Sequence, residues 1–314
     1  MTESILYSSY SPSSIDSQPI KWIRWLVWKI AIATLLLMAI GAATRVMNAG
    51  LACPDWPLCY GKVIPTQEMN LQVFLEWFHR LDASLIGLST IVLVVLSWWH
   101  RSKLPSWLPW GCSFALGLII FQGILGALTV TELLRFDIVT AHLGTALLFF
   151  GTLIVIGSNL IEYQGNGTVG KLTVISFVAT ILVYVQCLLG GLVASQWALH
   201  QCFGGNQLCF VMNSHIIGVI PATISCLTLI VVSWRTPALS QKLRNLTKYI
   251  GFVLFSQILL GVATFYLHLQ VEPLTIAHHT IGAVLFGILI SFTIITRKDI
   301  LEISSFPQNI SPNT

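Results

Sequence analysis

The chain has 314 residues, of which 55% are hydrophobic and only 9% are charged, and its formal net charge is +4. Soluble domains carry about 25% charged residues, so this composition excludes a soluble globular protein. It predicts an all-α integral membrane protein. The small positive charge needs no nucleic-acid partner, because basic residues at the cytoplasmic ends of membrane spans account for it.

Eight apolar runs are long enough for helices that cross a bilayer, which takes about 20 residues. In chain order they are 25–46, 74–98, 107–130, 139–161, 172–195, 210–233, 249–268 and 273–296. The residues before the first run are polar and rich in Ser, which predicts a short tail and no signal peptide.

Basic residues predict the orientation of these spans. Twelve of the 16 Lys and Arg residues fall on one side, in the two terminal segments and every second loop. The exceptions are Arg45, Lys62, Arg80 and Arg135. Basic residues mark cytoplasmic loops, so both termini are expected in the cytoplasm, and a bacterial inner membrane is the expected location.

The spans contain an internal repeat. The matched positions are Gln122 and Gly126 in the third span, Gln257 and Gly261 in the seventh, Gln186 and Gly190 in the fifth, and Gly41 in the first. Phe150-Gly151 likewise falls on Phe286-Gly287. We therefore predict two duplicated four-helix bundles in parallel orientation, an architecture known in membrane proteins. The predicted segments are a tail at 1–24, bundles at 25–162 and 172–297, a linker at 163–171 and a tail at 298–314.

Histidines recur in register with this repeat. One lies a few residues inside the outer end of each even-numbered span, at His79, His142, His215 and His278. A lone intramembrane histidine is more often a hydrogen-bonded core residue or a proton-relay member, but four in register favour a shared ligand. Haem iron accepts imidazole as an axial ligand, and helical bundles house such cofactors. Copper or zinc is an alternative, although each half offers few convergent ligands.

Two further features bear on these histidines. His279 follows His278 about 100° around the helix, so only one of the two can point at a given ring, and the repeat favours His278. Glu76 stands three residues before His79 on the same helix face, whereas Met212 stands three before His215. Glu76 is either an interfacial partner of Arg80 or a proton-transfer group in a reacting site.

Cysteines form two close pairs in the predicted outer loops. Cys53 and Cys59 share the first of these loops, and Cys202 and Cys209 share the third. Paired cysteines on the oxidising side suggest disulfides. Whether they are structural clips or redox groups stays open. Separately, Arg45, Arg80 and Arg135 are candidate partners for haem propionates, although each could simply extend to the interface.

The chain resembles the haem A synthase family from about residue 21 to 297. The resemblance is carried by "CPDWPLC" in the first outer loop, "EWFHR" at the start of the second helix and outer-end histidines on all even-numbered helices. It implies an oxidoreductase that converts the ring methyl of haem O to the formyl group of haem A, for terminal oxidase assembly.

The resemblance also implies roles for residues. His79 and His142 would bracket the substrate haem O, Glu76 would be the catalytic acidic residue, and His215 and His278 would bind the iron of a resident haem b. Cys53 with Cys59, and Cys202 with Cys209, would be the two cysteine pairs. Haem O synthase and oxidase assembly factors are the implied partners, beside the lipid bilayer.

Two other functions explain part of the pattern. A dihaem b-type electron carrier that exchanges electrons with quinone and modifies no haem needs the same four histidines. A transporter with proton-coupled histidines would need broken helices, for which Pro221 is the main candidate. The electron carrier does not explain why Glu76 occurs in one half only, or why both halves have cysteine pairs in their outer loops, and the transporter would purify without colour.

Overall fold

The computed structural model describes residues 18–163, 165, 169–195, 207–267 and 271–305. Within them lie eight helices that are long and apolar enough to cross a membrane. They are α1 (Gln18–Val46), α2 (Leu71–Trp99), α3 (Trp107–Thr131), α4 (Phe136–Asn159), α5 (Leu172–Ser195), α6 (Gln207–Arg235), α7 (Gln241–Tyr266) and α8 (Glu272–Ser305). The chain is therefore a multi-pass membrane protein, and all eight predicted spans are confirmed.

Several helix ends lie outside the apolar runs because polar groups cap them. Asn70 accepts a hydrogen bond from the backbone N–H of Val73 at the start of α2. Ser240 does the same for Leu243 at the start of α7, so that helix begins eight residues before the predicted span. Capping satisfies N–H groups that the first helical turn leaves unpaired. α6 runs through Pro221 as one helix, which is not the broken helix of the transporter alternative.

The extra length of α8 also has a structural cause. Lys298 donates to the carbonyl oxygens of Ser158, Asn159 and Ile161, at and just beyond the end of α4. Asp299 is 1% exposed and accepts a hydrogen bond from the Tyr163 hydroxyl. These contacts let the last turns of α8 carry charged residues while packed against α4.

Helix contacts divide into two closed rings. In the first, α1 contacts α2, α2 contacts α3, α3 contacts α4, and α4 returns to α1. The second ring joins α5, α6, α7 and α8 in the same way, while α1 with α8, α4 with α8 and α4 with α5 connect the rings. Two four-helix bundles would make these contacts, and duplication of the chain stays a prediction.

The centre of the molecule lies between α4 and α8. In their most apolar stretches 44% and 56% of residues are buried, against 11–28% in the other six helices. A Cβ on Gly287 would lie 3.0 Å from Cε1 of Phe150, and one on Gly151 would lie 3.2 Å from Cε1 of Phe286. Reciprocal contacts between equivalent residues are what a two-fold arrangement of similar halves produces.

Candidate functional site

The four histidines lie at matched depths in the even-numbered helices. We call the end of the molecule that carries the loop between α1 and α2 the outer end, and every even-numbered helix begins there. His79 and His215 each come eight residues after the first residue of their helix. His142 and His278 each come six residues after theirs. At about 1.5 Å per residue, all four are about 9–12 Å below the outer helix ends.

A glycine of the preceding helix faces each histidine ring. Gly41, Gly126, Gly190 and Gly261 each lie five residues before the last residue of their helix. A Cβ built on them would lie 3.0, 3.4, 2.9 and 2.9 Å from Cε1 of His79, His142, His215 and His278, in that order. At Gly41, Gly190 and Gly261 a side chain larger than hydrogen would press on the ring, whereas at Gly126 a methyl group would just touch it.

In the second half, the two imidazoles converge. The ring centroids of His215 and His278 are 6.4 Å apart and the ring planes are perpendicular. Two imidazoles on opposite sides of one metal ion would have centroids about 6 Å apart, since each metal–nitrogen bond is about 2 Å long and each centroid lies about 1 Å beyond its nitrogen. The separation therefore fits two axial ligands of one haem iron.

Glutamines at the repeated positions reach the same pair from the odd-numbered helices. The Gln186 amide donates to the carbonyl oxygen of His215 at 2.6 Å, and its nitrogen lies 3.0 Å from Nδ1 of that ring. The Gln257 amide nitrogen lies 3.5 Å from Nε2 of His278. Such contacts orient an imidazole, which matters for any metal it binds.

The first-half histidines carry unpaired polar atoms. Nδ1 of His79 and of His142 is buried without a hydrogen-bond partner among the described residues, and so is Nδ1 of His278. Oε1 of Gln122 is also buried and unpaired within that part of the chain. Buried polar atoms usually have partners, so these rings are placed for an interaction that the polypeptide alone does not supply.

The residues of the second half therefore fit a haem, and the first half offers the same residue types in register. Each half offers two imidazoles, a glycine against each ring and apolar surroundings, which is what bis-imidazole ligation of a flat macrocycle requires. A closed metal site is a poorer fit, because no group of three or more His, Cys, Asp or Glu side chains gathers among the described residues.

The glycine contacts give a direct test of this fit. We expect Gly190→Ala to lower haem retention about tenfold or more, because the new methyl must displace the His215 ring, and disturbing ligand orientation typically costs about 10–100-fold in affinity. Haem per purified protein, from the absorption spectrum, measures it. Gly123→Ala is the control, since nothing lies within 4 Å of a Cβ there. Equal haem content in both variants would contradict the contact's role.

His279 lies toward the junction of the two halves. It is in electrostatic range of Arg45 from α1 as well as of His278 and His215. The side chain that stacks edge-on with His215 is His278, which also faces Gly261. This geometry favours His278 as the ligand, as the repeat does.

Glu76 is buried and engaged by two partners. Its exposure is 4%, and its Oε1 accepts a hydrogen bond from Nη2 of Arg80 at 2.5 Å. Its Oε2 accepts one from the backbone N–H of Cys53 at 2.8 Å. The expected pairing with Arg80 is therefore present, and the same carboxylate also holds the backbone of the first outer loop one helical turn from His79.

The first outer loop is fastened to α2. Cys53 and Cys59 form a disulfide, which confirms that pair. Both are buried, at 0% and 2% exposure, where they pack with Val73 instead of lying open to solvent. Arg80 also donates to the carbonyl oxygens of Asp55, Leu58 and Cys53.

The carboxylate of Asp55 organises the turn inside this loop. It accepts hydrogen bonds from the backbone N–H groups of Gly61 and Tyr60. The bond from Gly61, followed by that from Tyr60, holds the pKa of Asp55 below its usual value. Cys202 lies outside the described residues, so the predicted Cys202–Cys209 pair stays a prediction.

The three arginines on the outer side have different surroundings. Arg135 is exposed and pairs with Asp137 and Glu132, and the hydrogen bonds that it donates to Asp137 raise its pKa. Arg80 is occupied by Glu76 and the loop. Only Arg45 crosses between the halves, where it donates to the carbonyl oxygen of Gly191 at 2.7 Å.

Sequence reasoning missed two of these features. It found the repeated glycines but not that each faces a histidine. The constant offset of the glycines from the helix ends was the available signal. It also missed the contact of Glu76 with the Cys53 backbone. The only signal for that contact was weak: Glu76 lies near the start of the helix that follows the loop containing Cys53.

Comparison with known proteins gives a consistent result. The family model described as "Cytochrome oxidase assembly protein" (COX15-CtaA) matches residues 24–290. A heme A synthase of Shewanella oneidensis is 30% identical, over 84% of this chain and 93% of the relative. Heme A synthases of Staphylococcus saprophyticus (24%, 88% of this chain and 97% of the relative) and Lysinibacillus sphaericus (22%, 86% and 93%) are also similar.

Proposed function

This chain belongs to the COX15-CtaA family of cytochrome oxidase assembly proteins, and we propose that it is a haem A synthase. It oxidises the ring methyl of haem O to the formyl group of haem A, which terminal oxidases require. The observation that carries this assignment is the pair of His215 and His278 rings at 6.4 Å, repeated in register by His79 and His142.

The first half is the substrate half in this proposal. His79 and His142 bind haem O from its two faces, and their buried Nδ1 atoms, which have no hydrogen-bond partner among the described residues, support this role. Substrate is expected to enter laterally from the bilayer. Conversion of the methyl to the formyl group is a four-electron oxidation with a net gain of one oxygen atom, so it requires an external electron acceptor. Two successive hydroxylations give an alcohol and then a gem-diol, which loses water to leave the aldehyde.

Glu76 is the proton-transfer residue of that half. It shares a helix face with His79, and its counterpart in the second half is Met212, which cannot exchange protons. A positioned carboxyl group typically contributes about 10²–10⁴-fold to a reaction by general acid–base catalysis. The Arg80 guanidinium holds the carboxylate in place, and the Cys53 N–H fixes its second oxygen.

The second half holds the resident cofactor. His215 and His278 would hold a haem b, and that haem would supply one-electron redox chemistry. Gly190 and Gly261 set the two ring positions, and Gln186 orients the first of them. With Met212 in place of a carboxylate, this half has no counterpart of the proton-transfer residue, which suits a carrier site.

The protein's setting follows from the same assignment. We infer an inner-membrane location with both termini in the cytoplasm, since twelve of 16 basic residues lie on that side. Both haem sites then lie just below the outer surface. Haem O synthase and oxidase assembly factors are the expected protein partners, because one supplies the substrate and the others receive the product.

Pigment analysis tests the function. We expect the full chain, expressed with a haem O synthase, to yield haem b together with haem O, haem A or the alcohol intermediate. The measurement is chromatography of extracted haems, and cells without haem O synthase are the control. Haem b alone in spite of haem O supply would identify an electron carrier, and a colourless protein would favour the transporter.

A further inference from the structure

Arg45 is a charged side chain whose position the proposed reaction does not yet explain. It lies in the last turn of α1, in the first half, yet its guanidinium reaches across to the Gly191 carbonyl oxygen on α5. Gly190, the preceding residue, is the glycine that faces the His215 ring. The guanidinium therefore lies beside the α5 turn that contacts a proposed haem ligand of the other half.

No acidic side chain in the part of the chain that the structure describes neutralises the charge of Arg45. Among the described residues, its side chain makes one hydrogen bond, to a neutral carbonyl, and no Asp or Glu of those residues forms an ion pair with it. Arg80 and Arg135, by contrast, are paired with carboxylates. A half-buried guanidinium in a membrane protein is costly unless something compensates for it, so most of its N–H donors remain available for an anion.

The repeat shows that this residue is not needed to build a bundle. Arg45 comes four residues after Gly41, and the equivalent position four residues after Gly190 is Ala194. Of these two equivalent positions, only that of Arg45 is charged, and Arg45 lies near His279 of α8. Arg45 also lies on the outer side of the His215 and His278 rings, because α1 ends one residue after it.

We propose that Arg45 of the first half binds a propionate carboxylate of the haem held by His215 and His278 in the second half. This inference rests on the proposed function, because it needs a haem at that pair. Haem propionates point toward water while the macrocycle stays among apolar side chains, and a guanidinium recognises a carboxylate with two parallel hydrogen bonds. α1 therefore contributes a binding residue to the haem site of the other bundle.

A first experiment measures the reduction potential of the second-half haem in the purified full chain. Arg45→Gln is expected to lower that potential, because the removed cation favours the extra electron of the reduced haem. Arg45→Lys keeps the charge and should stay near the wild-type value. The matched control is Arg135→Gln, which removes an exposed cation on the same side and should change nothing.

A second experiment separates carboxylate recognition from a purely structural bond between the halves. Full-length protein stripped of haem is reconstituted with mesohaem or with mesohaem dimethyl ester. Wild type should prefer the free acid about tenfold or more, as expected for a hydrogen bond between charged groups, and Arg45→Gln should lose that preference. Arg45→Lys keeps the positive charge but lacks the planar guanidinium, so it should retain part of the preference for the free acid.

The outcomes are distinguishable. An unchanged potential and an unchanged preference for the free acid in Arg45→Gln would overturn the inference. Equal weakening of acid and ester binding would also overturn it, because that result indicates a structural bond alone. A change confined to haem O binding in the first half would reassign Arg45 to the substrate and overturn it as well. A wild-type protein that binds no haem would instead overturn the proposed function.

Discussion

Replacing His278 with alanine is expected to remove the second-half haem, whereas His279→Ala should keep it. The reason is geometric: the His278 ring lies 6.4 Å from that of His215 and against Gly261, while His279 lies toward Arg45 and the junction of the halves. Disturbing residues behind a ligand costs about 10–100-fold in metal affinity, so losing the ligand itself should cost at least as much.

The measurement is haem b per protein in the purified full chain. His215→Ala should match His278→Ala, and His79→Ala should retain haem b while failing to convert haem O, because it removes a ligand of the other half. If His279→Ala lost haem b and His278→Ala retained it, the haem ligand on this helix would be His279 instead of His278. Retention in both single variants would refute axial ligation by this helix.

Much of the architecture could be predicted because membrane spans leave a strong signal. Apolar runs of about 20 residues predicted all eight helices, and the spacing of repeated residues predicted which histidines share a depth. Side chains at one depth in consecutive helices are restricted to a thin layer of the bundle. The sequence pattern therefore contained information about the three-dimensional arrangement of these side chains.

The helix ends were harder to predict because tertiary contacts set them. α8 continues to Ser305, past the apolar run, because Lys298 binds carbonyl groups at the end of α4. α7 begins at Gln241 because Ser240 caps it. Hydropathy reflects the free-energy cost of placing each residue in lipid. It therefore cannot predict that a polar residue is stabilised by contacts with another helix.

The contacts of the site depend on helix pairing, which single-sequence patterns do not specify. The repeat identified Gly41, Gly126, Gly190 and Gly261 without showing that each faces the histidine of the next helix. Both interpretations of Glu76 rested on local spacing, and its bond to the Cys53 backbone depends on how the loop folds back over α2. Arg45 could be identified as an exception to the charge pattern, but its target on α5 could not.

Glu76→Gln is expected to lower the rate of haem O oxidation by about 10²–10⁴-fold, the range for loss of a general acid–base group. The amide has nearly the same shape and its oxygen can still accept from the Cys53 N–H, so the loop should stay in place. What disappears is the ability to exchange a proton beside the substrate. The measurement is single-turnover conversion of haem O, with haem b content as the check on folding. Glu68→Gln, which removes a carboxylate that pairs with Lys62 in the first outer loop, is the control and should leave the rate unchanged.

A second variant separates proton transfer from anchoring of the loop. Arg80→Gln removes the cation that pairs with Glu76. It also removes the three hydrogen bonds that Arg80 donates to the loop carbonyl oxygens. Leaving a buried carboxylate without its partner costs about 3–5 kcal/mol, so this variant should be markedly less stable to heat. If Glu76 acts only as an anchor, Arg80→Gln should be the slower enzyme and Glu76→Gln should be nearly normal. If Glu76 transfers protons, Glu76→Gln should be slow but less destabilised than Arg80→Gln, because the carboxyl group is lost while Arg80 still donates to three loop carbonyl oxygens.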